Sequence, residues 1–92
     1  MNNTASILQN GWWKCGSTGV IHQWGVINRA YDETRIYFPI NFPHNCLNVQ
    51  LTLSSISGRS SDNIVAKDIT STGFTYYAHG GEAQSYWFAI GY

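Results

Sequence analysis

The 92-residue sequence predicts an all-β fold, a compact antiparallel β-sandwich of six to seven short strands. Three observations carry that expectation. Apolar residues nowhere recur at helical spacing. Glycine, serine and asparagine punctuate the chain at roughly the eight-to-twelve-residue interval of small β-domains. In "LNVQLTLSS", Leu47, Val49, Leu51 and Leu53 alternate with Asn48, Gln50, Thr52 and Ser54, the pattern of a strand with one wet face.

Taken in order, residues 1–10 form a polar arm, which is either a natural start or a link to a preceding shaft, and residues 11–92 form the domain. The arm lacks the basic and apolar regions of a signal peptide. Trp12–Cys15 is the first expected strand, with Trp12 and Lys14 on the more exposed face and Trp13 with an inert, buried Cys15 on the other. A tight turn at Ser17–Gly19 leads into Val20–Ile27, then Arg35–Ile40. Pro39 and Pro43 each delete a backbone donor, so "FPINFP" leaves the sheet and crosses over. The alternating segment follows, then Ile64–Thr70, a turn at Thr70–Gly73, and Phe74–Ala78. The last strand, Tyr86–Ile90, is apolar on both faces: Tyr86, Phe88, Ile90 and Tyr92 point one way, Trp87, Ala89 and Gly91 the other.

Composition narrows the function classes. Five Lys and Arg balance five Asp and Glu with no basic stripe, so nucleic acid is not an expected partner. No apolar run approaches a membrane span, so membrane insertion is not expected. Cys15 and Cys46 are too few for a disulfide framework and read as free thiols. His22, His44 and His79 show no ligand spacing, and neither a metal nor a cofactor is expected.

Alternating strand directions place the loops Asn28–Thr34, Ile56–Asn63 and His79–Ser85 at one end of the sandwich. That end would hold Arg29, Asp32, Glu33, Arg59, Asp62 and Glu82, six of the ten charged residues, together with Tyr31, His79 and Gln84. Ionisable and aromatic groups gathered at one end describe a recognition surface.

Four stretches, "GVIHQWG", "IYFPINFPHNCLNVQL", "TSTGFTYY" and the closing "YWFAIGY", resemble in order and spacing the C-terminal domain of bacteriophage tail fibre proteins. The resemblance runs from about Gly11 onward; His22 stands where that pattern usually has an aliphatic residue. The "FPINFP…V" and "TGF…W" arrangement is also similar to the H-type lectins, trimeric sugar-binding β-sandwiches. Both resemblances imply a homotrimeric sandwich assembled around a threefold axis, and the tail-fibre resemblance implies a place in the virion, at the tip of a tail fibre made in the bacterial host cytoplasm, with other tail-fibre segments as partners. The trimer gives the second apolar face of the last strand a partner, and the expected oligomer interface is Trp87, Phe88, Ile90, Tyr92, His22 and Trp24.

The expected function is binding of a host-surface polysaccharide, lipopolysaccharide in particular, for adsorption. The expected glycan-binding residues are Arg59, Asp62, His79, Glu82, Gln84, Tyr86, Tyr31 and Asp32. Arginine donates and aspartate accepts, so together they read paired hydroxyls, while tyrosine offers a ring for the sugar's C–H face. Two other readings stand beside it: a structural trimerisation cap, and a binder of a protein receptor such as a porin. Hydrolysis is not expected, because the chain shows no nucleophile motif and a sandwich this small offers little cleft depth.

Overall fold

The first and last of the long strands decide the architecture, because each alternates buried and outward positions along its length. The computed structural model describes residues 2–59 and 64–92, and eight strands form there: β1 (Thr4–Ser6), β2 (Gly11–Lys14), β3 (Ile21–Asn28), β4 (Glu33–Tyr37), β5 (Cys46–Ile56), β6 (Val65–Lys67), β7 (Gly73–Tyr77) and β8 (Glu82–Gly91). They make a five-stranded sheet, order β1-β2-β3-β8-β5, facing a three-stranded sheet, order β4-β7-β6. Every pairing is antiparallel. The all-β sandwich expected from the sequence is therefore the fold observed.

Period-two alternation explains the core. Along β3, Ile21, Gln23, Gly25 and Ile27 are buried between the sheets, and along β8, Ser85, Trp87, Ala89 and Gly91 do the same. The smaller sheet contributes Phe74 and Tyr76, with Ala78 just beyond. Phe38 and Phe42, from the proline-bounded crossover, complete an aromatic cluster in which Phe38 lies 5.0 Å from Phe42, 5.8 Å from Phe74 and 5.6 Å from Trp87 between ring centroids. The Tyr76 hydroxyl meets Ser85 Oγ at 2.8 Å, so the one polar atom that Tyr76 carries into the core is paired.

Gln23 fixes the crossover. It is fully buried on an otherwise apolar face. Its Nε2 donates to Ile40 O at 2.8 Å, and its Oε1 accepts from Ile40 N at 3.0 Å. The side-chain amide thus does for Ile40 what a neighbouring strand would do. It is needed because Pro39 has taken residues 38–42 out of the sheet and left Ile40 without a ladder partner.

The structure differs from the sequence reading at particular places. Residues 4–6 of the arm add a strand to the large sheet; its small polar residues carry no apolar period that would announce it. Strand β6 stops at Lys67, because Asp68 takes a left-handed conformation (φ 50°) incompatible with a continuing strand. Strand β8 begins at Glu82, earlier than its apolar run suggests, since Gln84 and Ser85 pair across to β3 and β5. Trp12 packs on the core, whereas Trp13 points outward against His22, reversing the expected facing of that pair.

Cys15 is also corrected. It sits half-exposed at the β2–β3 hairpin, where Cys15 N donates to Val20 O and Gly19, at φ 80°, closes the turn. Its Sγ lies 3.4 Å from Ser17 Oγ. Hydrogen bonding from Ser17, then from Thr18, stabilises the thiolate and lowers the Cys15 pKa from 9.0 to about 6. Burial pushes the Cys46 thiol the other way.

Two outcomes are expected. Gln23→Leu leaves both backbone groups of Ile40 without their partner and lowers unfolding stability by about 2 kcal/mol or more, measured by denaturant titration, whereas a shift below a few tenths of a kcal/mol would show that the clamp is dispensable. Iodoacetamide alkylates Cys15 with a rate that rises through pH 6 and levels off above neutrality, while Cys46 reacts only at higher pH. Mass-mapped rates that climb together above pH 8 would contradict the assignment.

Candidate functional site

Three connections meet at one end of the sandwich. Strand β3 ends opposite the start of β8 (Asn28 pairs with Gln84), and β5 ends there too (Ile56 pairs with Glu82). Strands β4 and β6 begin beside the end of β7, with Glu33 and Val65 both opposite Tyr77. The loops after β3, β5 and β7 therefore share this end.

They are latched to each other by specific bonds. Arg29, half-buried, donates from Nε to Ala78 O at 2.9 Å and from Nη2 to Asp32 Oδ1 at 2.5 Å. Ala78 N donates to Asp32 O at 2.9 Å, and Arg29 N to Ala83 O at 3.0 Å. Ser57 reaches the third loop, its N donating to Gly81 O at 3.0 Å and its Oγ to Gly80 O at 3.3 Å. Asp32 thus stays at the surface with one carboxylate oxygen committed to Arg29. Tyr31, next to it, is 75 % exposed and offers a ring to solvent.

His79 is the best-positioned residue of the set. Its Nε2 lies 3.2 Å from the Tyr77 hydroxyl, and the two rings meet edge to face with centroids 5.1 Å apart. Tyr77 in turn lies under Lys67, whose ammonium is 5.7 Å from the ring centroid and forms an ion pair with Glu33. The hydrogen bond to Glu33 raises the Lys67 pKa, so this lysine stays charged. Glu33, Lys67 and Tyr77 run as a stripe up the outer face of the small sheet to His79. Sequence reasoning missed Tyr77 and Lys67, although the spacing of Thr75, Tyr77 and His79 along β7 puts them on one face.

The remaining expected site residues fall in four places. Arg59 is exposed in the loop after β5, and Asp62 lies outside the described residues. Gln84 bridges strands on the outer face of the large sheet, donating to Asn28 Oδ1 at 3.0 Å and accepting from Ser54 Oγ at 3.2 Å. Tyr86 stands on that same face, 55 % exposed. Glu82 is fully buried, its Oε1 accepting from His79 N at 3.4 Å and its Oε2 unpaired among the described residues. The structure removes Glu82 from the contact surface: the turn at His79–Glu82, closed by Glu82 N donating to His79 O at 3.1 Å, folds the carboxylate inward.

The residues expected at an oligomer interface divide likewise. His22, Trp24, Phe88 and Ile90 project from the outer face of the large sheet, where His22 sits edge to face with Trp13 and Phe88, each 5.5 Å away. Tyr92, just past β8, is 41 % exposed, and it stacks on His44 at 5.3 Å. Trp87 faces the other way and is 3 % exposed within the chain's own core, so it cannot serve an interface. Charge is segregated too: among the described strand positions, the outer face of the large sheet carries no Asp, Glu, Lys or Arg, whereas the small sheet carries Glu33, Arg35 and Lys67.

Residues 14–92 match the family described as "Putative tail fiber protein gp53-like, C-terminal". A "Putative tail fiber protein gp36" of Acyrthosiphon pisum secondary endosymbiont phage 1 is 33% identical over 69 residues, covering 71% of this chain and 20% of that protein. An uncharacterised protein of Methanocaldococcus jannaschii is 33% identical over 88 residues, covering 82% of this chain. The chain spans 58% of that protein's length. Among solved structures, an N-truncated R2-type pyocin tail fibre superposes on the whole chain with TM-score 0.86 and 29% identity, the match covering 38% of it. An N-truncated R1-type pyocin tail fibre does so with TM-score 0.78 and 30% identity, the match covering 87% of it.

Proposed function

This chain belongs to the gp53-like family of tail-fibre C-terminal domains, and on that premise we propose that it is a receptor-binding tip that attaches a phage particle to a host-surface glycan. The ligand class is an extended surface polysaccharide, lipopolysaccharide in particular. The reading is supported above all by one observation: exposed aromatic and ionisable groups gather at the latched loop end, while one broad sheet face holds no charge among the described residues.

The loop rim does the binding. Tyr31 offers a flat apolar ring for the C–H face of a sugar, Arg59 supplies planar donors, and Asp32 and His79 take hydroxyls at its margin. The latches among the three loops hold these groups in place before ligand arrives, which limits the entropy lost on binding.

The uncharged face does a different task. Tyr86, Phe88, Ile90, His22 and Trp24 pack against sister copies in a homotrimer, a closed ring of identical patches. Each large apolar side chain so covered is worth roughly 1.5–3 kcal/mol. The trimer then presents three rims together, so weak single-site affinity becomes long residence on a repeating polysaccharide. Other tail-fibre segments and the particle itself hold the domain at the fibre's end.

Binding of the purified protein to immobilised host lipopolysaccharide and to a glycan array tests this. Wild type is expected to bind at least one surface glycan, and Tyr31→Ala or Arg59→Ala to weaken it about tenfold, roughly 1.4 kcal/mol, without loss of fold. Absence of any glycan signal would favour a trimerisation cap. Capture by outer-membrane proteins but not by their glycans would move the receptor class to protein.

A further inference from the structure

Strand β2 stops pairing with β3 at Gly11–Trp24, so among the described residues the second half of β3 has no strand beside it on that side. Strand β4 is likewise an outer strand of its own sheet. Asn10 covers part of the gap, its Oδ1 accepting from Val26 N at 3.0 Å. Between the open edges lies a cavity of about 440 Å³. Val26, Ile36, Pro39 and the rings of Trp87 and Tyr37 give it apolar walls, and Asn10 and Arg35 add polar groups.

We propose that this cavity is a second binding site, distinct from the loop rim, that takes a single pyranose unit. The inference rests on the glycan reading above. Gly25 keeps the cavity's polar corner open: a Cβ there would stand 2.3 Å from both Asn10 Oδ1 and Trp87 Nε1, so glycine is what lets the carboxamide and the indole edge lie side by side. The groups on offer are donors. The indole contributes N–H only, and Asn10, with its oxygen committed to Val26, has its NH₂ left to give. Tyr37 is 72 % exposed and brings a ring face and a hydroxyl.

Charge selects against a cationic ligand. Among the described residues no carboxylate lines the cavity. Arg35 lines it and donates to neutral acceptors, Asp68 O at 2.7 Å and Thr70 Oγ1 at 2.9 Å, which hold its charge in place without neutralising it. A fitting occupant is therefore not a cation, is rich in acceptor oxygens and is apolar on one side. A pyranose has that description, with its C–H face on an aromatic ring and its oxygens toward the amide and indole. The volume sits toward the lower part of the small-molecule range, room for a ring or two and not for a long chain.

Amide and indole NMR of ¹⁵N-labelled protein tests this. Glucose, galactose, mannose, rhamnose and glucuronate are titrated, with glucosamine as the cationic control. At least one neutral or acidic sugar is expected to move the Trp87 indole N–H saturably. Tyr37→Ala should weaken that response about tenfold, and Tyr31→Ala should leave it unchanged. Tyr37 is solvent-facing, so its variant keeps the wild-type spectrum elsewhere. An indole signal unmoved by the whole panel overturns the proposal; loop-rim signals that still move would keep the rim reading, and silence at both would end both. A stronger response to glucosamine than to every neutral or acidic sugar also overturns it. So does an indole signal that shifts with protein concentration alone, since a neighbouring copy would then occupy the cavity.

Discussion

A domain with one core has a closing strand that is apolar on two sides, and the rest of the structure is arranged around that mismatch. Strand β8 is hydrogen-bonded on both edges, to β3 and to β5, so neither side can be relieved by peeling it away. Its inner face is satisfied within the chain, where Trp87 meets Phe38 and Phe74 and Ala89 lets the sheets approach. Its outer face leaves Tyr86, Phe88 and Tyr92 substantially wet, on a sheet surface without charge. Exposed apolar area concentrated in this way is the physical ground for the proposed contact with sister copies.

The division of labour between the sheets follows from how polar groups are settled. Inside, Gln23 and Ser85 are paired with Ile40 and Tyr76, which lets a short aromatic crossover close the sandwich without a strand of its own. Outside, ion pairs and hydrogen bonds crowd the small sheet and the loop end, where Arg29 joins two loops and Lys67 ties β6 to Glu33. Ion pairs this exposed add little stability. Their contribution is shape: they hold a rim of polar and aromatic groups in a fixed arrangement while the outer face of the large sheet, at its described strand positions, stays free of charge.

Much of this was legible from residue order. Alternation along "LNVQLTLSS" and along the last strand gave both strands and the facing of Phe88 and Ile90, because a period of two is imposed by the backbone itself. Counting strand reversals brought Tyr31, Asp32 and His79 to the same end, since antiparallel connections force it. The failures have physical causes as well. An interface role for Trp87 fails because its parity with Ala89 and Gly91 puts it in the core. A surface position for Glu82 fails because a turn that buries a carboxylate has no composition signal. Strand β1 was invisible, as three small residues hydrogen-bonded to a neighbour show no pattern of their own. The cavity beside Gly25 arises from a strand that ends early, which only the three-dimensional pairing reveals.

The central claim is that sister copies cover the outer face of the large sheet. Sedimentation equilibrium of the purified protein, run beside a Phe88→Asp variant, tests it most directly. The account predicts a particle of three copies for the wild type and a folded single chain for the variant, since Phe88 projects outward and its loss leaves the core intact. A wild-type protein that sediments as a stable, well-folded monomer at micromolar concentration would contradict it.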